Sequence, residues 1–426
     1  MAVQREPTRA PGNSPEAAAA NKGFLGWLDK RLPVREFIHS QLTGYYAPKN
    51  FNFWYFFGFI ALAVLVLQLL TGIFLTMFYK PGEGTSFESV EFIMREVNYG
   101  WLIRYMHSTG ASAFFIVVYL HMFRAFLYGS YKAPRELLWI IGMLVYLALM
   151  AEAFMGYVLP WGNMSFWGAQ VIVNLFGTIP VIGPGLVEWI RGDYAIADAT
   201  LNRFFALHVV AVPLILLALV GLHLVALRRV GSNNPDGIEI KAKVGPDGQP
   251  LDGIPFHPYY TVKDTVGIAA FLVIFAIIVF YAPTFGGLFL ESANFEGANP
   301  VSTPPDITPV WYFTPFYAIL RAIPDQRLGA LAMLLAIVAF FLLPWLDRSP
   351  VKSIRYKGWM SRVALGVFVV SFVGLGFMGM RPPEGIYVVL GRTFAILYFL
   401  FWILMPFYSR WDRAKPVPER VVYHAH

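Results

Sequence analysis

The sequence contains no cysteine among its 426 residues. This absence excludes disulfide bonds, thiolate-held iron–sulfur clusters and haem attached covalently through a CxxCH motif. Charged residues are also scarce, at 14% of the chain against 57% hydrophobic residues. Because the apolar residues cluster into runs long enough to cross a bilayer, the composition predicts a polytopic membrane protein.

Two further features are missing from the chain. The first 23 residues lack a continuous apolar segment, so they do not resemble a cleavable signal peptide, and we expect a disordered cytoplasmic tail. The basic residues form no single stripe although the net charge is +7, so nucleic acid is not an expected partner. Membrane topology explains their distribution better.

Eight apolar runs predict eight transmembrane helices and an all-α fold. An even number of spans places both termini on one side of the membrane, and 24 of the 33 Lys and Arg residues fall there when those at the span ends are included. Positive residues accumulate on the cytoplasmic side, so both termini should be cytoplasmic. The predicted spans are 53–79, 107–128, 137–158, 204–227, 265–283, 328–346, 361–379 and 387–408.

Three connecting segments are too long to be simple turns. Residues 159–203 and 284–327 mix apolar and aromatic residues with Pro and Gly on the side opposite the termini, which predicts short helices on the membrane surface near a site. Residues 231–264 are polar enough to be an ordinary solvated loop on the cytoplasmic side.

Four of the eight histidines fall in the second and fourth spans. His107 and His121 are 14 residues apart, which returns to nearly the same helix face about 21 Å along the axis. His208 and His223 are 15 apart, also close to one face. A lone histidine in a membrane is as often a packing residue as a ligand, but this spacing allows two helices to bracket two haems. Imidazole at both axial positions leaves no open site and suits electron transfer.

Glycines repeat the same interval in the first and third spans. Gly58 and Gly72 are 14 residues apart, as are Gly142 and Gly156. Missing side chains allow a backbone to lie against a flat macrocycle, although close helix packing is an alternative use of glycine in membranes.

Two arginines accompany the histidines. Arg104 precedes His107 by three residues and Arg124 follows His121 by three, where each could pair with haem propionates or extend to lipid headgroups.

Several motifs together make the sequence resemble the cytochrome b family over about residues 35–408. They are RYMHSTGAS at 104–112, FMGYVLPWGNMSFWGA at 154–169, ATLNRFFALH at 199–208, GSNNPDG at 231–237, FHPYYTVKD at 256–264 and WYFTPFYAILRAIP from 311. The resemblance implies an unsplit, eight-helix b subunit of a quinol–cytochrome c reductase in a bacterial inner membrane. Helices one to four would form a four-helix bundle holding two b-type haems, with four further helices.

The resemblance also implies partners and residue roles. A Rieske iron–sulfur protein, a c-type cytochrome, a second copy of the chain, quinone and lipid would be the partners, and ubiquinol and ubiquinone the substrates. His107 and His208 would hold a low-potential haem, and His121 and His223 a high-potential haem. The quinol-oxidation pocket would be lined by Gly156, Tyr157, Pro309, Trp311, Tyr312 and Tyr317, and the quinone-reduction pocket would use Ser232, Lys263 and Asp264, with Asn233 near a propionate.

The sequence departs from the family pattern at the two proposed quinone sites. The usual Pro-Glu-Trp-Tyr motif reads PVWY at 309–312, so Val310 replaces the carboxylate generally proposed to accept a quinol proton, and Glu188 and Glu296 are candidates for its work. Arg228 stands where many members carry a histidine at the reduction site. Arginine cannot relay a proton at physiological pH, so we expect Arg228 to position the quinone and Asp264 to be protonated.

A third departure is the 15-residue spacing of the second histidine pair, where many members have 14. One extra residue turns a helix face by about 100° unless it is absorbed. Pro213 removes a backbone hydrogen bond between the two ligands, so we expect a local bulge and unchanged ligation.

These features predict bifurcated quinol oxidation coupled to proton translocation, and they disfavour three other classes of protein. A transporter with histidine proton relays would show broken helices and inverted repeats. A di-haem anchor of a dehydrogenase would not need PVWY or eight spans, and a structural scaffold would need neither the histidines nor the matched glycines.

The predicted organisation is a tail (1–34), a bundle domain (35–230), a connecting loop (231–264), a C-terminal domain (265–410) and a tail (411–426).

Overall fold

The computed structural model describes residues 23–305 and 307–422, so most of the predicted N-terminal tail lies outside the described residues. The described chain is largely helical, with a single pair of short strands, β1 (Tyr46–Pro48) and β2 (Gly253–Pro255), in antiparallel register. In chain order the α-helices are α1 (Gly23–Asp29), α2 (Val34–Gln41), α3 (Phe56–Thr76), α4 (Ser86–Arg95), α5 (Gly100–Tyr128), α6 (Glu136–Val158), α7 (Asn163–Phe176), α8 (Gly183–Arg191), α9 (Asp198–Ala206), α10 (Val212–Val230), α11 (Tyr259–Tyr281), α12 (Thr314–Ala322), α13 (Gln326–Leu346), α14 (Trp359–Gly379) and α15 (Ile386–Trp411).

The eight predicted spans are confirmed among the described residues. Eight helical stretches are long and apolar enough to cross a membrane, and they correspond one to one with the predicted runs. The second stretch starts at Gly100, seven residues before the predicted span, and the fourth covers Asp198–Val230, beyond the predicted span at both ends. Polar residues at these ends lower the hydropathy without ending the helix, so hydropathy underestimates helix length.

Two compact units account for these elements. One combines the chain up to Lys49 with Ile240–Lys263 and contains β1 and β2. Within it, Tyr260 donates a hydrogen bond of 2.6 Å to the Pro48 carbonyl. The other unit combines Asn50–Glu239 with the chain from Asp264 onward and contains the histidines and the long loops.

The larger unit pairs its spanning helices in sequence order. Helix α3 packs along α5, and α6 packs along α10, with the π-helical segment Leu207–Ala211 leading into α10. Ring contacts between α5 and the fourth span join the two pairs into the predicted four-helix bundle. Helices α13, α14 and α15 pack together with the short α12 beside them.

The short helices predicted for the two long loops are present, and their place on the membrane surface stays a prediction. Helices α7 and α8 lie in the 159–203 loop, and α12 lies in the 284–327 loop. The interpretation of 231–264 as an ordinary solvated loop is wrong for its first part. Asn233, Asn234 and Asp236 are buried because their side chains satisfy backbone groups and basic residues of the same unit.

A buried ion-pair cluster surrounds Asp347 in the larger unit. The Asp347 carboxylate accepts from Lys357 at 2.5 Å and from the Tyr131 hydroxyl at 2.6 Å, and Lys132 lies 3.2 Å away. These opposite charges hold the pKa of Asp347 at about 2, against the burial that raises it. The carboxylate is therefore charged at every ordinary pH and ties together three segments of chain.

Candidate functional site

The two histidines of the first pair face each other across the bundle. The ring centroids of His107 in α5 and His208 in the fourth span are 6.2 Å apart. A metal bound to imidazole at about 2.0–2.1 Å on each side would place the centroids at about 6 Å, because each centroid lies about 1 Å behind its nitrogen. The pair therefore has the separation that one axially ligated iron requires.

The second pair repeats this arrangement one level further along the same two helices. The ring centroids of His121 and His223 are 6.4 Å apart. Both pairs lie between the same two helices, although the two histidines are 14 residues apart on one helix and 15 apart on the other. The structure thus brings together the four predicted ligands as two pairs.

Each of the four matched glycines lies against one histidine. A Cβ atom at Gly58 would be 3.0 Å from Cε1 of His121, and one at Gly142 would be 3.2 Å from Cε1 of His223. At the other level the same distance is 3.3 Å from Gly72 to His107 and 2.4 Å from Gly156 to His208. The glycines therefore make room at the two ligand levels, which explains their 14-residue interval better than general helix packing does.

Hydrogen bonds prepare the first pair to ligate through Nε2. Nδ1 of His208 lies 2.9 Å from the Glu152 carbonyl oxygen, which only accepts, so Nδ1 carries the proton. Nδ1 of His107 lies 2.9 Å from Thr71 Oγ1, whose own proton goes to the Leu67 carbonyl. Both Nε2 atoms are then left with a lone pair, as a metal ligand requires.

The donor set fits haem better than a bare metal ion. Within residues 23–305 and 307–422, no three His, Asp or Glu side chains cluster as ligands for a metal ion. Two histidines alone suffice when a macrocycle supplies the other four ligands. In addition, the buried Nε of Arg124 has no hydrogen-bond partner in this part of the chain, while its Nη2 lies 3.2 Å from Nδ1 of His121. An unpaired buried guanidinium nitrogen beside the ligand fits a carboxylate such as a propionate.

The extra residue between His208 and His223 is absorbed where the sequence predicts. Leu207–Ala211 forms a π-helical turn that contains His208, and Pro213 follows in the first turn of α10. A π turn accommodates one additional residue, and proline has no N–H that must be satisfied. The predicted bulge is confirmed, and both ligands remain on the inner face.

The PVWY segment is anchored on helix α5. The ring of Tyr312 stacks on Phe115 with centroids 3.8 Å apart, and Tyr119 donates a hydrogen bond to the Tyr312 carbonyl. The indole of Trp311 donates to Ser112 Oγ at 3.1 Å. These contacts hold the segment rigidly beside the first histidine pair.

Two cavities lie on either side of this segment. The first surrounds His107 and His208, and its lining includes Leu69, Gly72, Arg104, Gly156, Tyr157, Leu290, Val310 and Tyr312. The second is strongly apolar, and its lining includes Phe154, Gly168, Ile172, Pro309, Phe313 and Tyr317. The residues predicted to line one oxidation pocket are thus divided: Gly156, Tyr157 and Tyr312 line the histidine cavity, and Pro309 and Tyr317 line the apolar one, while Trp311 is in neither lining. Pro309 and Val310 face different cavities.

Glu291 is a carboxylate of the second long loop that no sequence motif indicates. The Tyr157 hydroxyl donates a hydrogen bond of 2.9 Å to Glu291 Oε2, and the preceding Leu290 lines the histidine cavity. By contrast, the side chains of the two sequence candidates, Glu188 and Glu296, are exposed. No local pattern distinguishes Glu291, because its partner is 134 residues away in the chain.

Residues predicted for the second quinone site lie at the other end of the bundle. Asp264 is buried near the start of α11, and its Oδ1 has no partner among the described residues. Asn233 is also buried and donates to the Tyr128 carbonyl at the end of α5. Arg228 lies half-buried in the last turn of α10.

The remaining two residues of this predicted site flank the others in sequence. Ser232 is half-buried just beyond α10. Lys263 is exposed, with its Nζ 5.4 Å from the centre of the Tyr260 ring. Asp264 therefore supplies a buried carboxylate to this predicted site.

Comparison with known proteins identifies the chain. Family models described as "Cytochrome b/b6/petB" and "Cytochrome b(C-terminal)/b6/petD" match residues 42–231 and 297–399. A protein of Allochromatium vinosum named cytochrome b is 60% identical over 407 residues, which cover 93% of this chain and 98% of that protein. The chain belongs to the cytochrome b family.

Two other cytochrome b relatives extend the comparison. A protein of Bradyrhizobium diazoefficiens named "Cytochrome b/c1" is 46% identical over 398 residues, covering 93% of this chain and 56% of that protein. The solved structure titled "Hyperthermophilic respiratory Complex III" contains a chain that superposes with a TM-score of 0.84 at 40% identity, covering 91% of this chain and 99% of that one. The predicted class is confirmed: a multi-pass cytochrome b subunit of a quinol–cytochrome c reductase.

Proposed function

We propose that this cytochrome b carries two b-type haems, one between His107 and His208 and one between His121 and His223. The observation that carries the proposal is the repeated geometry of the two pairs, with ring centroids 6.2 and 6.4 Å apart and a glycine against every ring. Bound haem would supply one-electron redox chemistry with no open coordination position.

The chain's own residues would then have distinct tasks at the two levels. Arg104 lines the first cavity and Arg124 lies beside His121, so each would pair with propionates. Asn233 would orient a propionate at the level of His121.

The reaction supported by this arrangement is bifurcated quinol oxidation on one side of the membrane and quinone reduction on the other. The apolar cavity beside Pro309 and Tyr317 would bind the quinol ring, and Tyr157 and Tyr312, which line the cavity around the first histidine pair, would face the ring from that side. At the other end Asp264 would supply the proton taken up by the reduced quinone, and Arg228, Ser232 and Lys263 would hold its headgroup. Proton release and uptake on opposite sides would convert electron flow into a proton gradient.

The assembly we propose contains a Rieske iron–sulfur protein, a c-type cytochrome and a second copy of this chain. A complex III structure at 40% identity and a relative named "Cytochrome b/c1" support the first two partners. The location would be a bacterial inner membrane with both termini cytoplasmic, which the distribution of Lys and Arg supports.

A reduced-minus-oxidised optical spectrum of the purified protein, with haem quantified per chain, tests the proposal. We expect two b-type haems per chain. His107→Ala and His208→Ala should remove the same haem, and His121→Ala and His223→Ala should remove the other. His257→Ala is the matched control, because His257 is exposed and outside the bundle.

Three results would contradict the proposal. A well-folded preparation without haem would reject it. One haem per chain would reject the two-level arrangement. Loss of different haems in the two variants of one pair would reject the proposed pairing.

A further inference from the structure

We propose that Glu291 accepts a quinol proton in place of the carboxylate that is missing at Val310, with the Tyr157 hydroxyl connecting it to the oxidation pocket. The inference rests on the proposed quinol oxidation and adds the proton acceptor for it. Glu291 takes the place of Glu188 and Glu296 as the candidate proton acceptor, because the side chains of those two residues are exposed.

Position 310 and Tyr157, the hydrogen-bond partner of Glu291, share one cavity. Val310 and Tyr157 both line the space around the first histidine pair, together with Leu290. The Tyr157 hydroxyl donates to Glu291 Oε2 at 2.9 Å, so the carboxylate is in direct contact with a residue that lines this cavity. A glutamate at 310 would project from the PVWY segment into the same region, so the two positions can supply the same chemical group.

Backbone hydrogen bonds hold the loop that carries Glu291 in a fixed position. Asn163 N donates to the Glu296 carbonyl at 2.8 Å, and Ala298 N donates to the Trp161 carbonyl at 2.9 Å. The Asn294 amide oxygen accepts from Ser165 N at 2.9 Å. Because Tyr157 lies only a few residues before these anchors, the distance between Glu291 and the phenol is set by a rigid framework and does not depend on a mobile tip.

The electrostatic environment matches the task. Burial raises the pKa of Glu291 to about 7, although the hydrogen bond from Tyr157 partly opposes this rise. The titratable groups that face it are Tyr157 on α6 and Tyr312 on the PVWY segment, and burial together with the Glu291 charge keeps the pKa of Tyr312 above its ordinary value. A proton acceptor with a pKa close to the working pH can take a proton and then release it.

The proton transfer balances without any additional reagent. One quinol O–H bond breaks, its proton passes to the Tyr157 oxygen, and the phenolic proton moves to Glu291 Oε2, so tyrosine is unchanged at the end. The two electrons of quinol would leave one at a time. The electron that accompanies this proton would pass to the haem proposed between His107 and His208, and the other electron would leave with the second quinol proton to the Rieske partner. Glu291 then releases the proton to water on the same side of the membrane.

The test compares Glu291→Gln with the wild-type complex. Glutamine retains a hydrogen-bond acceptor for Tyr157 but cannot take the proton, so quinol oxidation should fall at least about tenfold, since positioned acid–base groups contribute roughly 10²–10⁴-fold. Wild-type turnover should rise with pH through an inflection near 7, as the carboxylate ionises, and this inflection should disappear in the variant. Redox-induced infrared difference spectra should lose one protonated-carboxyl band.

Rescue and controls distinguish proton transfer from a structural effect. Adding Val310→Glu to Glu291→Gln should restore most of the turnover and a pH inflection, while Glu188→Gln should leave both unchanged. Normal turnover with the inflection retained in Glu291→Gln would overturn the inference, and so would failure of the rescue. If both haems remain in these variants, either result leaves the proposed di-haem function standing; absence of haem from the wild type would reject that function instead.

Discussion

Substituting alanine for the glycines at one proposed haem level gives a graded test of how closely the backbone approaches the histidine rings. A Cβ at Gly156 would lie 2.4 Å from His208 Cε1, about 1 Å inside ordinary van der Waals contact. A Cβ at Gly72 would lie 3.3 Å from His107 Cε1, nearly at contact. The two substitutions add the same methyl group to the same cavity but differ in the displacement that they require.

The expected cost follows from that displacement. Forcing a methyl group into a packed site costs about 1–3 kcal/mol, which corresponds to roughly 5- to 150-fold weaker retention of the haem at this level. We expect Gly156→Ala to fall in this range, because helix α6 or the His208 ring must move by about 1 Å. Gly72→Ala should change haem retention less than about twofold, since a shift of about 0.1 Å suffices.

Haem per chain, measured by difference spectra after graded heating, provides the assay, and a potentiometric titration identifies the haem that is lost. The haem proposed between His121 and His223 serves as an internal control in both variants. Equal effects of the two substitutions would refute the argument from backbone distance. Selective loss of the His121 and His223 haem would refute the assignment of these glycines to the first level.

Two further predictions concern the ion-pair cluster and the π turn. Asp347→Asn should destabilise the protein by about 3–5 kcal/mol in thermal melting, because it leaves buried lysines unpaired, whereas Glu91→Gln in the exposed pair with Arg95 should cost less than about 1 kcal/mol. Because its pKa is lowered to about 2, ionised Asp347 contributes about 2.5 kcal/mol to the free energy of unfolding. This contribution is present above pH 4 and is lost as the pH falls from about 4 to 2. A melting temperature that does not change over this pH range would contradict the reasoning. Deleting Val210 should remove the π turn and retain both haems. Inserting one alanine after Leu217 should instead turn His223 by about 100° and cause loss of its haem. The opposite pattern of haem content would refute this reasoning.

The histidine and glycine positions were predictable because helix periodicity is a local property of the sequence. A spacing of 14 in an apolar run fixes which residues share a face, and the structure places His107 opposite His208 accordingly. The π turn was also predictable, since the 15-residue spacing and Pro213 both lie within one segment.

The proton acceptor was not predictable in the same way. Glu291, Glu296 and Glu188 all lie in long loops, and nothing in the adjacent sequence distinguishes one from another. Their difference depends on hydrogen bonds to residues more than 100 positions away, such as that between Glu291 and Tyr157. The burial of Asn233 and Asp236 escaped prediction for a similar reason: polar composition suggests solvent exposure, but side-chain partners elsewhere in the chain permit burial.

The paired levels of the bundle have a consequence for how freely the rest of the chain can change. Helices behave as rods with a rise of 1.5 Å per residue, so the 14 residues from His107 to His121 separate the levels by about 21 Å along α5, and the π turn absorbs the one extra residue in the fourth span. The distance that an electron must tunnel between the proposed haems is therefore inherited from helix pitch and is insensitive to the connecting loops. Loops such as 159–203 and 284–327 can diverge with substrate and partner while the electron path stays the same length.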